Sequence, residues 1–436
     1  MTPMPLIFVA TCDLAGKARG KAFPADQLEK RLLRGVGWTP TNVQINCFDG
    51  IGDSPFGALG DLLLIPDPAT EVNVGFDADT REHFMLGNIT ALDGTPWEFC
   101  TRSLLQSALD RLHRVAGVRL IAAFEHEFQL RGEPAIRNQG YGREAFEVQR
   151  RLCETLMGAL KQAGMEPDSI MKEYGPNQYE VVVGPDQGVR AADAAVILRE
   201  LTRSTARHLG EAATFTPIRD VSSVGNGVHI HMSFVDEGGQ PATYDENGPC
   251  GMSNLTAAFS AGVLKYLENI IALTAPSVIS YERLTPHRWS AAYNNLGFRD
   301  REASLRVCPV TAKDPAAISR QFNIEYRAAD AAACPHLALA AIIHAGVQGI
   351  EDGLTPPPPT EEDLSLLSPE DLAARGFVRL PTSLDAALDR FDACETAKGW
   401  FPASFASVYR AHKASEMAHV ANMEIAEKCA AYEDSY

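Results

Sequence analysis

The 436-residue chain has no C-x-x-C pair, no apolar run approaching 18 residues and no excess of basic charge. Each absence excludes something. Its nine cysteines, at 12, 47, 100, 153, 250, 308, 334, 394 and 429, are odd in number and scattered. Neither a disulfide framework nor a zinc site is expected from them, and a reducing cytoplasm fits best. The missing long apolar run speaks against a membrane span, and Met1 to Ala10 carries no basic segment or cleavage motif, so no signal peptide is expected. A net charge of −17 argues against nucleic acid or an anionic membrane as the main partner. No G-x-x-x-x-G-K-[ST] string occurs, so a P-loop is not the phosphate holder. Internal repeats are also absent, and the Pro356 to Pro359 run is the one low-complexity stretch.

What is present has ordinary globular proportions, 45% hydrophobic and 22% charged residues. The length exceeds what one core accommodates, so about two domains are expected. Short strands are predicted for residues 5–10, 43–48 and 62–65, with a helical stretch over 25–34. Near Thr95-Pro96 the pattern changes, because Leu104, Leu105, Ala108, Leu112 and Val115 recur at helical spacing. A boundary at about residue 95 follows, giving segments 1–95 and 96–436.

The run Leu120 to Leu130, LIAAFEHEFQL, organises the second segment. On a strand Glu125 and Glu127 share one face, with Phe124 and Phe128 on the other. An isolated E-x-E is usually a solvated strand face; here a divalent cation taking oxygen ligands would offset the repulsion. Further along, Glu173 and Glu180 flank the Gly175-Pro176 turn, with a strand predicted over 179–183. His229 and His231 alternate on a predicted strand, where two same-face imidazoles suit a site or a core equally. Residues 283–307 carry a dense set of arginines, whose forked donors suit carboxylate or phosphate when they are not surface ion pairs. Glu325 and Arg327 share a strand face in FNIEYRAAD. Helices are predicted over 190–209, 255–273, 329–350 and within 402–432. Acids, histidine and arginines without a nucleophile beside a base suggest two hard cations and an anionic substrate, the equipment of phosphoryl transfer.

The ordered set of E-x-E, N-Q-Y-E-V, N-G-V-H-I-H-M-S, R-x-x-P, D-R-x-x-S-x-R and I-E-x-R resembles the glutamine synthetase superfamily over nearly the whole chain. The resemblance implies an α+β fold with an N-terminal β-grasp domain and a catalytic domain whose curved antiparallel sheet forms an open barrel. It implies two stacked rings of subunits, most simply a dodecamer, with ATP, glutamate and Mg²⁺ or Mn²⁺ at each site. Glu127, Glu173 and Glu180 would hold one metal, and Glu125, His229 and Glu325 the other. His231 and Ser233 would lie at the nucleotide, with Arg306 at its phosphates. Gly225, Arg283, Arg301 and Arg327 would contact glutamate or the transferring phosphoryl group.

Some positions depart from the ammonia-using enzymes. Trp289 stands where those enzymes carry a glutamate that takes a proton from ammonium, and Phe48-Asp49-Gly50 is followed by Ile51-Gly52 instead of two serines. Ser365 occupies the place of the adenylylation tyrosine, Val224 and Asn323 replace an asparagine and an arginine, and the Glu173–Glu180 interval is one residue shorter. These traits resemble the glutamate:amine ligase branch, with Trp289 in the amine pocket. The alternatives are an ammonia-dependent glutamine synthetase and a non-catalytic ring-forming sensor or scaffold.

Overall fold

The computed structural model describes residues 4–77, 81–132 and 140–436. In the N-terminal region a mixed sheet runs in the order Ala18–Pro24, Leu6–Cys12, Arg81–Thr90, Leu62–Pro66, Val36–Trp38, and Val72–Gly75 adds to the Arg81–Thr90 strand. Alternation along Leu6–Cys12 divides its side chains between two cores. Ile7 and Val9 join Phe23, Trp38, Leu64 and Ile89 in a small local core. Ala10 and Cys12, on the opposite face, join the main core of the molecule. The sheet is thereby fastened to the catalytic body through one face.

The strand expected over 43–48 does not form. Pro40–Gln44 is a 3₁₀ turn, and the Asn46 carboxamide accepts the backbone N–H groups of Phe48 (2.9 Å) and Gly50 (3.0 Å). Side-chain bonding to the backbone, with Asp49 at φ 62°, overrides the β-branched Val43 and Ile45. The other expected strands of this region are present, and the helix narrows to Leu28–Arg34.

In the catalytic body a curved sheet runs Leu296–Gly297, Leu305–Val307, Ile324–Asp330, Gly227–Asp236, Val118–Leu130, Gln178–Val183, Pro167–Lys172, antiparallel except for the first pair. Two apolar helices, Asn254–Thr274 and Pro335–Glu351, pack together in the main core. Their approach depends on Gly262, where a Cβ would lie 2.3 Å from the Ala345 carbonyl oxygen and 2.6 Å from the Gly349 nitrogen. The helix expected over 329–350 starts later, at Pro335, because Ala329 and Asp330 finish the Ile324–Asp330 strand and Pro335 suits a first helical turn. Helices Val189–His208, Phe405–Val420 and Ile425–Ser435 complete the fold. Among the described residues no helix is long and apolar enough to cross a membrane.

Candidate active site

Strand register assembles the site. In the antiparallel pairs Glu125 lies opposite His229, Glu127 opposite Glu180, and Glu325 opposite both His231 and Arg306. Alternate residues of Val118–Leu130 are buried on one face, Phe124 and Phe128 among them, while Glu125 and Glu127 look into the cleft. That cleft, about 690 Å³, is lined by Glu125, Glu127, Glu173, Glu180, His229, Glu325, Gly225, Arg283, Arg301, Arg306, Arg327 and Trp289. His231 and Ser233 open instead onto a neighbouring cavity of about 260 Å³, which Glu125 and Asn323 share. Every residue given a metal, nucleotide, glutamate or amine role by the family resemblance therefore lines one of two adjoining cavities, whereas Phe48, Asp49, Gly50 and Ser365 line neither.

The charges fall into two groups. Glu125 is 3.4 Å from His229 Nδ1 and 3.1 Å from His231 Nε2, and Glu325 pairs with Arg306 at 2.6 Å and with Arg327. Ligand atoms of Glu125, His229 and Glu325 lie within 4.8 Å of one another. Burial alone would raise Glu125, but its bonds to the two histidines hold the carboxyl well below the usual range. Burial would raise Glu325 as well, and His229, Arg327, His231 and Arg306 bring it down to about 2. Burial and then Arg327 lower His229 to about 4, which keeps its imidazole neutral.

The second group has no such balance. Glu127 accepts bonds from the Gly227 N–H (2.7 Å) and the Gln178 amide (3.2 Å), and Glu173 from the Tyr141 hydroxyl (3.0 Å). All three donors are neutral. Burial pushes Glu180 up to about 9, and Glu125, Glu127, Glu173 and Glu325 add repulsion. Burial also raises Glu127 to about 7, against its Gly227 bond and with repulsion from Glu173. A hard divalent cation is what such an oxygen-rich, under-neutralised set would accommodate, so the donors fit Mg²⁺ or Mn²⁺.

Arginines and glycines fix the opposite wall. Arg283 is buried and donates from Nη2 to the Ala329 carbonyl at 2.6 Å. Gly225 must lack a side chain, since a Cβ would meet the Pro217 carbonyl oxygen at 2.3 Å and Arg283 Cγ at 2.8 Å. Arg301 is exposed at the cleft rim.

Trp289, 49% exposed, stands edge-on to Tyr174 with ring centroids 4.5 Å apart, and Tyr174 in turn meets Tyr141 at 5.6 Å. Trp289 and His287 both have positive φ, 53° and 64°. Glu302 holds them there by accepting their backbone N–H groups at 2.7 and 3.0 Å. Neither tyrosine nor Glu302 was singled out from the sequence. Tyr174 beside Glu173 offered a faint signal, whereas the Glu302 contacts with His287 and Trp289 have none at sequence level.

Residues 98–430 match the family model described as the glutamine synthetase catalytic domain, and residues 1–97 the one described as the glutamine synthetase N-terminal domain. Gamma-glutamylpolyamine synthetase GlnA3 of Streptomyces coelicolor is 33% identical over 400 residues, covering 88% of this chain and 84% of the relative. Type-1 glutamine synthetase 1 of Dictyostelium discoideum is 31% identical over 386 residues, covering 81% and 76%. A solved structure described as a novel glutamine synthase homolog is 40% identical, with a TM-score of 0.92, covering 100% of this chain and 99% of that one. The GmaS/ADP complex, at 24% identity and a TM-score of 0.83 over 97% of this chain and 95% of that one, shares the fold.

Proposed function

Because the chain belongs to the glutamine synthetase family, we propose that it is an ATP-dependent ligase joining the γ-carboxylate of glutamate to an organic amine instead of ammonia. The observation that carries the choice of amine is Trp289, an indole at the cleft mouth in the place where ammonia-using enzymes have a proton-accepting glutamate. An indole cannot accept that proton, but with Tyr174 and Tyr141 it offers faces and edges to a carbon skeleton or an organic cation. Trp289 also borders a cavity of about 600 Å³ lined by Tyr293, Phe298, Asp300, Glu302, Glu361 and Glu362 among others, which suits a positively charged amine. Likeness to a gamma-glutamylpolyamine synthetase supports the same reading.

In this reading Glu127, Glu173 and Glu180 hold one divalent cation and Glu125, His229 and Glu325 another. When bound, these ions neutralise phosphate oxygens and polarise the transferring group. His231 and Ser233 border the nucleotide, and Arg306 meets its phosphates. Gly225 lets the glutamate approach the backbone, and Arg283 and Arg301 bind its carboxylate. Arg327, paired with Glu325 and donating to the Trp289 carbonyl at 3.2 Å, is poised for the transferring phosphoryl group. The γ-carboxylate attacks the γ-phosphorus of ATP and ADP leaves. The amine, as its free base, then attacks the carbonyl carbon of γ-glutamyl phosphate, the C–O bond to phosphate breaks, and the proton lost from nitrogen passes to the departing phosphate. A ring-shaped homo-oligomer, by family likeness a dodecamer, and a cytoplasmic setting, which nine free cysteines suit, complete the reading.

Phosphate release with ATP and glutamate over ammonium, polyamines, ethanolamine, alkylamines and anilines tests the activity. Trp289→Glu is expected to improve the use of ammonium and to weaken a neutral bulky amine by about 1 to 3 kcal/mol, or roughly tenfold to a hundredfold in kcat/KM. Wild type preferring ammonium, or an unchanged ratio of the two donors in the variant, would return the chain to the ammonia-dependent enzymes. No turnover with any donor would favour a sensor or scaffold.

A further inference from the structure

Outside the cleft, three soft ligand groups meet where the N-terminal sheet joins the catalytic body. Cys12 ends the Leu6–Cys12 strand, Cys334 precedes the Pro335–Glu351 helix, and His336 sits in the first turn of that helix. Their ligand atoms lie within 4.8 Å of one another, and all three residues are at most 2% exposed. Two further observations concern the imidazole. Its Nε2 is 2.8 Å from Asp193 Oδ1, and Asp193 is itself held by Arg102 at 2.8 Å. Its Nδ1 is buried with no nitrogen or oxygen partner and faces the Cys334 sulfur. A carboxylate behind Nε2 fixes that nitrogen as the N–H donor and leaves the Nδ1 lone pair facing the two sulfurs. This is the arrangement in which a carboxylate orients a metal-binding histidine.

The two sulfurs face each other. Cys334 Sγ makes a long contact, 3.8 Å, with the Cys12 carbonyl, and Cys12 Sγ accepts from Arg199 Nη2 at 3.5 Å. That guanidinium also donates to the carbonyls of Gly16, Ala331 and Ala333, so it is fixed beside the sulfur. It only partly offsets the bond to Cys334 and the burial that push the Cys12 thiol well up. Buried cysteines can be plain packing. Packing accounts for the burial of the three groups one by one, whereas a thiophilic cation binds the nitrogen and both sulfurs together.

We propose that Cys12, Cys334 and His336 Nδ1 form a structural zinc site that clamps the N-terminal sheet to the catalytic body. Binding Zn²⁺ releases the two thiol protons to solvent, and the two thiolates cancel the ion's charge. Tetrahedral zinc with Zn–S bonds of about 2.3 Å sets its sulfurs roughly 3.8 Å apart, within reach of small rotations from the present spacing.

The test uses full-length protein from a zinc-supplemented culture, dialysed against EDTA to strip exchangeable cations from the cleft. Zinc per subunit is measured by mass spectrometry, and its surroundings by X-ray absorption. About one zinc per subunit is expected, with two sulfurs at about 2.3 Å and nitrogen at about 2.0 to 2.1 Å. Cys334→Ala should lower the zinc content at least tenfold. Cys308→Ala, which removes the sulfur 3.5 Å from His231 Nδ1 beside the smaller cavity, should leave it unchanged. Should Cys334→Ala fail to fold, the wild-type stoichiometry and sulfur count still decide the matter. The site is refuted by wild type with less than about a tenth of a zinc per subunit, by zinc with fewer than two sulfurs, or by a Cys12–Cys334 disulfide in the unreduced protein.

Discussion

Two buried groups of charges in this molecule obey opposite rules. In the helical C-terminal region Lys413 and Glu416 are both fully buried and 2.8 Å apart, and the second Glu416 oxygen accepts the Tyr432 hydroxyl at 2.7 Å. One cation meets one anion, and each carboxylate oxygen is satisfied. In the cleft, Glu127, Glu173 and Glu180 converge with neutral hydrogen-bond donors and, among the described residues, no ion pair, Arg283 and Arg327 acting on Glu127 only through space. A structural ion pair is self-contained; a ligand-binding set is left short of positive charge, and that shortage is what recruits a ligand.

The largest expected effect breaks the cleft set. Glu127→Ala should lower kcat/KM for glutamate-dependent phosphate release by about 10³-fold or more, since one carboxylate is lost to both cation and geometry. In EDTA the same variant should melt no lower than wild type, because a repelling charge has gone. Full activity, or a clear drop in Tm in EDTA, would mean that Glu127 behaves like Glu416. The mirror experiment is Glu416→Gln, which strands Lys413 without its anion. It should cost about 3 to 5 kcal/mol in chemical unfolding at fixed protein concentration while activity per folded subunit holds. A loss under about 1 kcal/mol would show that the pair is not what stabilises this region.

The two groups also differed in how visible they were in the sequence. Glu125 with Glu127, His229 with His231, and Glu325 with Arg327 stood out because a strand repeats every second residue and the pairs share a face. Lys413 and Glu416 fall in a stretch read only as helix, since their burial by Tyr409 and Tyr432 comes from packing. Register was not legible, yet it sets Glu127 opposite Glu180 and Glu325 opposite Arg306. The same holds for contacts across long loops: Tyr141 to Glu173, Glu302 to Trp289, and Cys12 to Cys334, 322 residues apart. Scattered cysteines argued against a zinc site because spacing along the chain was the one clue to proximity. Val43 to Phe48 failed for a local reason, the Asn46 side chain competing for backbone donors.

A pH series separates the two groups further. Glu127 is raised to about 7 and Glu180 to about 9, above the unfolded value of roughly 4.3. Between those limits the folded state holds more protons than the unfolded one. Cation-free protein should therefore lose stability as pH rises from about 4.3 towards 9. Bound Mg²⁺ or Mn²⁺ removes the repulsion, so the gain in Tm on adding saturating cation should grow from pH 5 to pH 7 to pH 9. A gain that is flat across this window would sever the link between the crowded carboxylates and the cation.

The smallest expected effect concerns a carboxylate that belongs to neither group. Glu302 offers its two oxygens to the backbone N–H groups of Trp289 and His287, both held at positive φ, and so sets the angle at which the indole meets Tyr174. It is a positioning residue: its side chain borders the amine cavity, but both of its oxygens are engaged by the turn. Glu302→Gln keeps one acceptor and turns an amide N–H towards the other donor, which loses about 1 to 2 kcal/mol of charge-assisted bonding. The turn can then relax and the ring can leave the cleft mouth. With the best amine, kcat/KM should fall by roughly fivefold to tenfold, mostly through KM, because a mobile indole binds the amine without a fixed geometry. Ammonium, which makes no use of the ring, should be affected less, and that split is what separates positioning from general destabilisation. Equal losses for the two donors, together with a lowered Tm, would make Glu302 a structural brace like Glu416.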